Sequence, residues 1–284
     1  MGVSDLHVHS SASCDCYASV WDMCESAIDM GLEAIAFTEH VEFSPEDYCY
    51  RQFNYHKARR AWQKARERYR RTLKVLFGAE VTYRSNLEGE IRDYLDRHSF
   101  DIVMGSVHDA PPIDFWNPQN AGIVKSNPGQ ARAALKWYFS EVEKLALSGL
   151  FDIVGHFGVY ERHIPEGWPE VFGDSELEGR LASTLDAIVH NSRLELNAAV
   201  LHKPGYWPAP RVEVLRLYKE MGGRTPVYGS DSHHPLGVAR NLGLAGKVLK
   251  QAGFEAFASW KDVVCKKGPF YGANRESRSR ILPR

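Results

Sequence analysis

Nine histidine and carboxylate side chains in this sequence carry the chemistry worth pursuing: His7, His9, Asp15, His40, Glu80, His108, His156, Asp231 and His233. The triplets His7-Val8-His9 and Asp231-Ser232-His233 share a two-residue step, and on an extended strand residues two apart point the same way. Such pairs can grip one ion or two adjacent ions. Asp15 follows on a loop that can fold over the same mouth. Imidazole and carboxylate together suit Zn, Mn, Fe or Ni better than Ca or Mg. Taken singly, any of these histidines would be an ordinary hydrogen-bonded residue; the joint pattern is what points to metal. The remaining histidines read as bland. His98 and His190 fall near predicted helix C-termini, where a cation suits the helix dipole; His56 begins a surface helix, and His234 neighbours the site.

Those residues need elements that gather them. Seven short aliphatic or β-branched runs recur along the chain: 5–9, 34–40, 75–82, 101–108, 152–157, 194–198 and 226–231. Each is bounded by polar residues or glycine, as buried parallel strands are. Between them lies helical periodicity. Val20, Met23, Cys24 and Ala27 share a face, with Gly31 at the C-cap position. Ala58, Ala61, Trp62, Ala65 and Tyr69 repeat the pattern, as do Ala131, Ala134, Leu135, Tyr138, Val142 and Leu145 before Gly149. Ser175 and Glu178 predict a capping box ahead of Leu181, Leu185 and Ile188. Further helices are predicted over about 210–221 and 236–251. Alternating strands and helices imply a parallel α/β sheet, and seven units favour a distorted (β/α)7 TIM-like barrel over an open doubly wound sheet. The candidate ligands fall at C-terminal strand ends, where such folds build active sites.

Composition narrows the function classes. The 284 residues carry 35 Lys+Arg against 36 Asp+Glu, a formal net charge of −1, which excludes a globally basic nucleic-acid binder. The basic run over 51–74 reads as the solvated face of an amphipathic helix, so nucleic acid is not an expected partner. No apolar run approaches the roughly 20 residues of a membrane span. Five cysteines, odd in number and irregularly placed, predict reduced thiols in a cytoplasmic protein. Cys14 and Cys16 flank Asp15 without a second cysteine pair and read as loop thiols. There is no Gly-x-Ser-x-Gly elbow, Walker loop, Gly-x-Gly-x-x-Gly or His-Glu-x-x-His. One barrel domain over 1–270 and a tail over 271–284 are expected.

The ordered set His7-x-His9, Asp15, Thr38-Glu39-His40, Gly78-x-Glu80, Ser106-Val107-His108, Gly155-His156 and Gly229-Ser230-Asp231-x-His233 resembles the PHP (polymerase and histidinol phosphatase) superfamily, and within it the histidinol-phosphate phosphatases. The resemblance implies a distorted seven-stranded barrel holding three divalent ions, Zn, Mn or Fe. His7, His9, Glu80 and Asp231 would bind the first; Glu80, His108 and His156 the second; Asp15, His40 and His233 the third. It implies hydrolysis of a small phosphorylated metabolite, histidinol phosphate, by hydroxide formed on the bound ions. Three such ions exceed the charge of three carboxylates and attract an anion. Arg162, on the loop after the fifth run, is a candidate for bidentate phosphate contact, with His202 and Lys203 as further candidates. The sequence departs from the family in two places. It has Asp109–Ile113 where a Phe-Leu-Asp-Gly-Trp-like loop is usual, and Val200-Leu201-His202-Lys203 where Gly-Leu-Arg-Lys is usual. A PHP phosphodiesterase or exonuclease, a noncatalytic metal-binding module and a C–N hydrolase are the alternatives.

Overall fold

The computed structural model describes residues 2–264, apart from 163 and 165. The expected tail over 271–284 lies outside the described residues. The chain begins β1 (Ser4–Val8), α1 (Val20–Asp29), β2 (Ala34–His40), α2 (Tyr55–Tyr69), β3 (Lys74–Thr82), α3 (Glu88–Arg97) and β4 (Ile102–Ser106). A small hairpin of β5 (Asp109–Ala110) and β6 (Ile113–Asp114) precedes α4 (Ala121–Ser126) and α5 (Pro128–Leu147). Then come β7 (Ile153–Val154), α6 (Ser175–Asn191), β8 (Arg193–Asn197), α7 (Val212–Glu220), β9 (Val227–Gly229), α8 (Leu242–Gln251) and α9 (Trp260–Val264).

Seven strands pair in parallel in the order β1-β2-β3-β4-β7-β8-β9. The ends meet: His9 donates its backbone N–H to Ser232 (2.9 Å) and Asp231 donates to His7 (2.8 Å), so the sheet nearly closes into a barrel. The open doubly wound alternative is thereby excluded. Side-chain alternation then sorts the strands. Leu6, Ala36, Leu76, Ile102, Met104, Ile153 and Val227 form an apolar layer inside, joined by Ala258, just before α9, and Val263 within it. Nearer the C-terminal strand ends lie polar groups: His40 on β2, Glu80 and Thr82 on β3, Glu195 on β8 and Asp231 just beyond β9. In β1 the register shifts between Asp5 and Val8, an irregularity beside the two closing histidines.

The helices cover the outside with the faces the periodicity predicts. α1 buries Val20, Met23, Cys24 and Ala27, and Gly31 holds the left-handed turn behind it (φ 71°). α2 buries Tyr55, Ala58, Trp62, Ala65 and Tyr69, leaving its arginines and lysines exposed. Each fully buried large side chain contributes about 1.5–3 kcal/mol. Three local expectations need correction. The cap of α6 is Asp174, whose carboxylate accepts from the N–H groups of Glu176 and Leu177, while Glu178 accepts from Gly173. A carboxylate one residue upstream outcompetes the Ser175 hydroxyl for the exposed N–H groups. The helix predicted from 236 starts only at Leu242, after a 3-10 turn over Pro235–Gly237 and left-handed Ala239 and Asn241. Finally, Cys14 and Cys49 are joined as a disulfide across 35 residues, so the expectation of reduced thiols throughout fails; Cys16 and Cys24 are free and buried.

Candidate metal centre

All nine predicted ligands converge at the C-terminal mouth of the barrel, with Glu80 in the middle. Its Oε2 lies 3.3 Å from His7 Nε2 and 3.5 Å from His9 Nε2, and Asp231 Oδ1 lies 3.6 and 3.5 Å from the same two nitrogens. Its other oxygen, Oε1, is 2.7 Å from His156 Nε2 and 3.4 Å from His108 Nε2. Asp15 Oδ2 is 3.4 Å from His40 Nε2 and 3.1 Å from His233 Nε2. Ligands about 2.1 Å from a tetrahedral ion stand roughly 3.4 Å from one another, and most of these separations fall near that value. Strand register accounts for the meeting: His40 on β2 is level with Glu80 on β3.

Outer partners fix which nitrogen each ring turns inward. Glu195 Oε1 sits 2.8 Å from His7 Nδ1, Ser13 Oγ 3.1 Å from His9 Nδ1, and Thr82 Oγ1 2.8 Å from His108 Nδ1. His233 Nδ1 is 3.2 Å from the Asp231 carbonyl. In each case Nε2 is left facing the cluster, the arrangement typical of metal-ligating imidazoles. The Nε2 atoms of His108 and His233 are buried and have no hydrogen-bond partner. Buried polar atoms are seldom left unpaired, so the donor set fits divalent cations. Glu195 Oε2 also accepts the His156 N–H at 2.5 Å, and Glu39 accepts from Ser10 and Ser13 beneath the first loop. His156 and Asp231 both hold left-handed backbone conformations (φ 24° and 53°), strain of a kind that collects at functional sites.

The charges are interlocked. Burial opposes ionisation of Glu80, yet His7, His108 and His156 hold its carboxyl well below the usual range. Burial likewise opposes ionisation of Asp231, and Arg162 and His7 overcome it. Burial, together with His233 and His40, drives the His9 imidazole toward its neutral form. Burial opposes protonation of His7, His40, His108 and His233 as well, but the carboxylates facing them raise all four, so these rings share protons with the acids where a bound cation would take the protons' place.

Arg162 belongs to this site. It follows the 3-10 turn Val159–Glu161; Nη1 donates to Asp231 Oδ2 at 2.6 Å and the guanidinium lies 4.6 Å from the Trp116 ring centre. Its Nε is buried without a hydrogen-bond partner. His202 and Lys203 are not brought in: both are exposed, and their contacts among the described residues are with Asn241 and Tyr206. The reason is local. Asn197 and Ala209 exchange backbone hydrogen bonds (2.9 and 3.2 Å), pinching off the loop between them. Sequence reasoning missed Glu195, Glu42, Glu39 and Trp116. Glu195 and Asn197 alternate on the one run to which no site residue was assigned, and that alternation is the signal that could have found them.

A nearly closed seven-stranded parallel barrel with histidines and carboxylates at its C-terminal mouth defines an α/β barrel with a candidate metal centre. The PHP domain family model matches residues 5–199, and the chain belongs to that family. Among curated relatives, it is 26% identical over 260 residues to a probable histidinol-phosphatase of Deinococcus radiodurans, covering 89% of this chain and 94% of that protein. It is 25% identical over 274 residues to the histidinol-phosphatase of Lactococcus lactis subsp. lactis, covering 93% and 96%. The crystal structure of the Lactococcus lactis histidinol phosphate phosphatase, complexed with Zn, L-histidinol and phosphate, superposes with a TM-score of 0.74 at 23% identity, over 91% of this chain and 96% of that one.

Proposed function

We propose that this chain is a metal-dependent phosphatase that hydrolyses a phosphate monoester, with histidinol phosphate as its substrate. The observation that carries the reading is Glu80, a buried carboxylate with one oxygen toward His7 and His9 and the other toward His108 and His156. In this reading His7, His9, Glu80 and Asp231 hold one divalent ion, Glu80, His108 and His156 a second, and Asp15, His40 and His233 a third. When bound, such ions lower the pKa of coordinated water to near 7 and offset negative charge on the phosphoryl group.

The chain's own residues do the rest. Glu195 and Thr82 hold two of the rings in the ligating orientation. Arg162 keeps one nitrogen on Asp231 and offers its unpartnered Nε to a phosphate oxygen, its plane held against Trp116. A guanidinium anchored in this way is preorganised to donate to the oxygens of a tetrahedral phosphate. The curated relatives named histidinol-phosphatases, each matched over most of its length, support the substrate. The basic run that could favour a nucleic-acid reading starts at Arg51 beside the mouth and ends at Lys74 at the opposite end of the barrel, and Arg51, Arg68 and Arg70 within it are paired with Glu90, Glu25 and Glu67. Metal analysis of purified protein, followed by phosphate release from histidinol phosphate, other monoesters and a diester, tests the proposal. Monoester hydrolysis led by histidinol phosphate is expected; cleavage of the diester alone, or none by fully loaded protein, overturns it.

A further inference from the structure

Beside the metal centre stands a pair of carboxylates with no task in the reading above. Glu42 leaves β2 two residues after His40 and is buried (4% exposed); its Oε1 is 3.6 Å from His40 Nδ1, while its Oε2 is buried and has no hydrogen-bond partner. Asp47 lies on the loop that follows. One ligating atom each from Glu42, Asp47 and His108 fall within 4.8 Å of one another. The loop is firmly held: Asp47 accepts the Cys49 N–H (2.7 Å), Arg51 donates to the Glu42 carbonyl (3.3 Å), and Cys49 is bonded to Cys14. The arginines on this side are engaged elsewhere, Arg51 with Glu90 and Arg84 with Nη1 on Glu46 and Nη2 on Asp109. Two adjacent carboxylates on a fixed loop, one almost wholly buried with an unpaired oxygen, call for a cation from outside the protein.

A metal ion is the weaker candidate. His108 Nε2 already lies 3.4 Å from Glu80 Oε1, and its Nδ1 is held by Thr82, so the ring has no third nitrogen to give. Without it two carboxylates remain, fewer than the roughly six to eight oxygens a Ca²⁺ cage collects, and they match the N–H donors of an organic cation. We propose that Glu42 and Asp47 form the subsite that receives the cationic end of the substrate's alcohol, an ammonium or imidazolium group, while Arg162 takes the phosphate. The proposal rests on the phosphatase reading above and adds the residues that select among phosphate esters. A dipolar substrate would then be read at both ends, anion toward Arg162 and cation toward the Glu42 loop.

The experiment compares kcat/KM for histidinol phosphate with that for glycerol 2-phosphate, whose alcohol is uncharged, in the metal-loaded wild type, Glu42→Gln and Asp47→Asn, with metal content measured in each. The ratio of the two constants is expected to fall about 10- to 100-fold in each variant, the worth of one charged hydrogen bond, mainly through KM for the cationic ester. A ratio unchanged from wild type in both variants, or a loss of metal with equal loss on both esters, overturns the inference and assigns the carboxylates to the ions. A wild type that hydrolyses both esters without favouring the cationic one overturns the substrate reading itself, and the subsite with it.

Discussion

Gly229 provides the sharpest test of how the site is assembled. A Cβ built on it falls 1.8 Å from Glu195 Oε1 and 2.8 Å from His7 Cβ, far inside any real contact. In Gly229→Ala the Glu195 carboxylate therefore has to leave, since the backbone of β9 is paired to β8 and cannot retreat. Departure breaks three charge-assisted hydrogen bonds, with His7 Nδ1, the His156 N–H and the Asn197 side-chain amide. Each is worth about 1.5–3 kcal/mol, so a loss of about 3 kcal/mol or more in unfolding free energy is expected, read from urea or thermal unfolding of chelator-treated protein. Losing an outer partner of a ligating histidine commonly costs about 10- to 100-fold in metal affinity or activity, so metal content should fall in parallel. A second variant separates clash from mere damage. Adding Glu195→Ala to Gly229→Ala removes the closest obstruction, and the double variant should be less destabilised than the sum of the singles, though the contact with His7 Cβ still costs something. Strict additivity, or a Gly229→Ala protein with wild-type stability and metal, would refute the reasoning.

Three further outcomes follow from the same geometry. Glu80→Gln replaces a carboxylate oxygen by an amide nitrogen at the point shared by five imidazoles, so it should abolish hydrolysis and lower metal per chain; full activity would remove Glu80 from the centre. Arg162→Ala should raise KM for phosphate monoesters about 10-fold or more, the scale of a lost charged hydrogen bond, and an unchanged KM would leave Arg162 as a partner of Asp231 alone. Glu161 gives a pH prediction: burial outweighs the help of Arg211 and pushes its carboxyl up to about 7 from 4.5. An acid with a raised folded pKa binds its proton more tightly in the fold, so its contribution is present below pH 4.5 and is lost as pH rises through 7, a difference of about 3 kcal/mol at most. Glu161→Gln should accordingly flatten the change in Tm between pH 5 and pH 8, and an unaltered slope would contradict the assignment.

What could be read from the sequence, and what could not, follows from the range of the interactions involved. His7, His9, His40, Glu80, His108, His156 and Asp231 were legible because parallel strands put their C-terminal ends together, and alternation then decides which side chains face inward. The helix faces were legible for the same local reason. The outer carboxylates were not: Glu195 reaches His7 across 188 positions, and a single acid on a buried strand has no spacing that announces a partner. Cys14 and Cys49 pair only because the first two βα loops fold over one mouth, which no local pattern encodes. Trp116 reaches Arg162 through the hairpin of β5 and β6, elements of two residues each that periodicity cannot detect.

The same division explains where this chain can vary. Most of the candidate ligands sit at strand ends that the barrel must bring together for its own closure, as the bonds between β1 and the end of β9 do for His7, His9 and Asp231. Their positions are thus fixed by the fold's stability as well as by chemistry. The groups argued to recognise the ester stand on loops instead: Arg162 behind a single 3-10 turn, Glu42 and Asp47 on a segment tied down by a disulfide. Loops tolerate exchange at little cost to the core, so a chain only about a quarter identical to its curated relatives can retain the metal cage while changing what surrounds it. The exposed loop turns His202 and Lys203 away from the mouth, so the phosphate contact proposed above rests on Arg162.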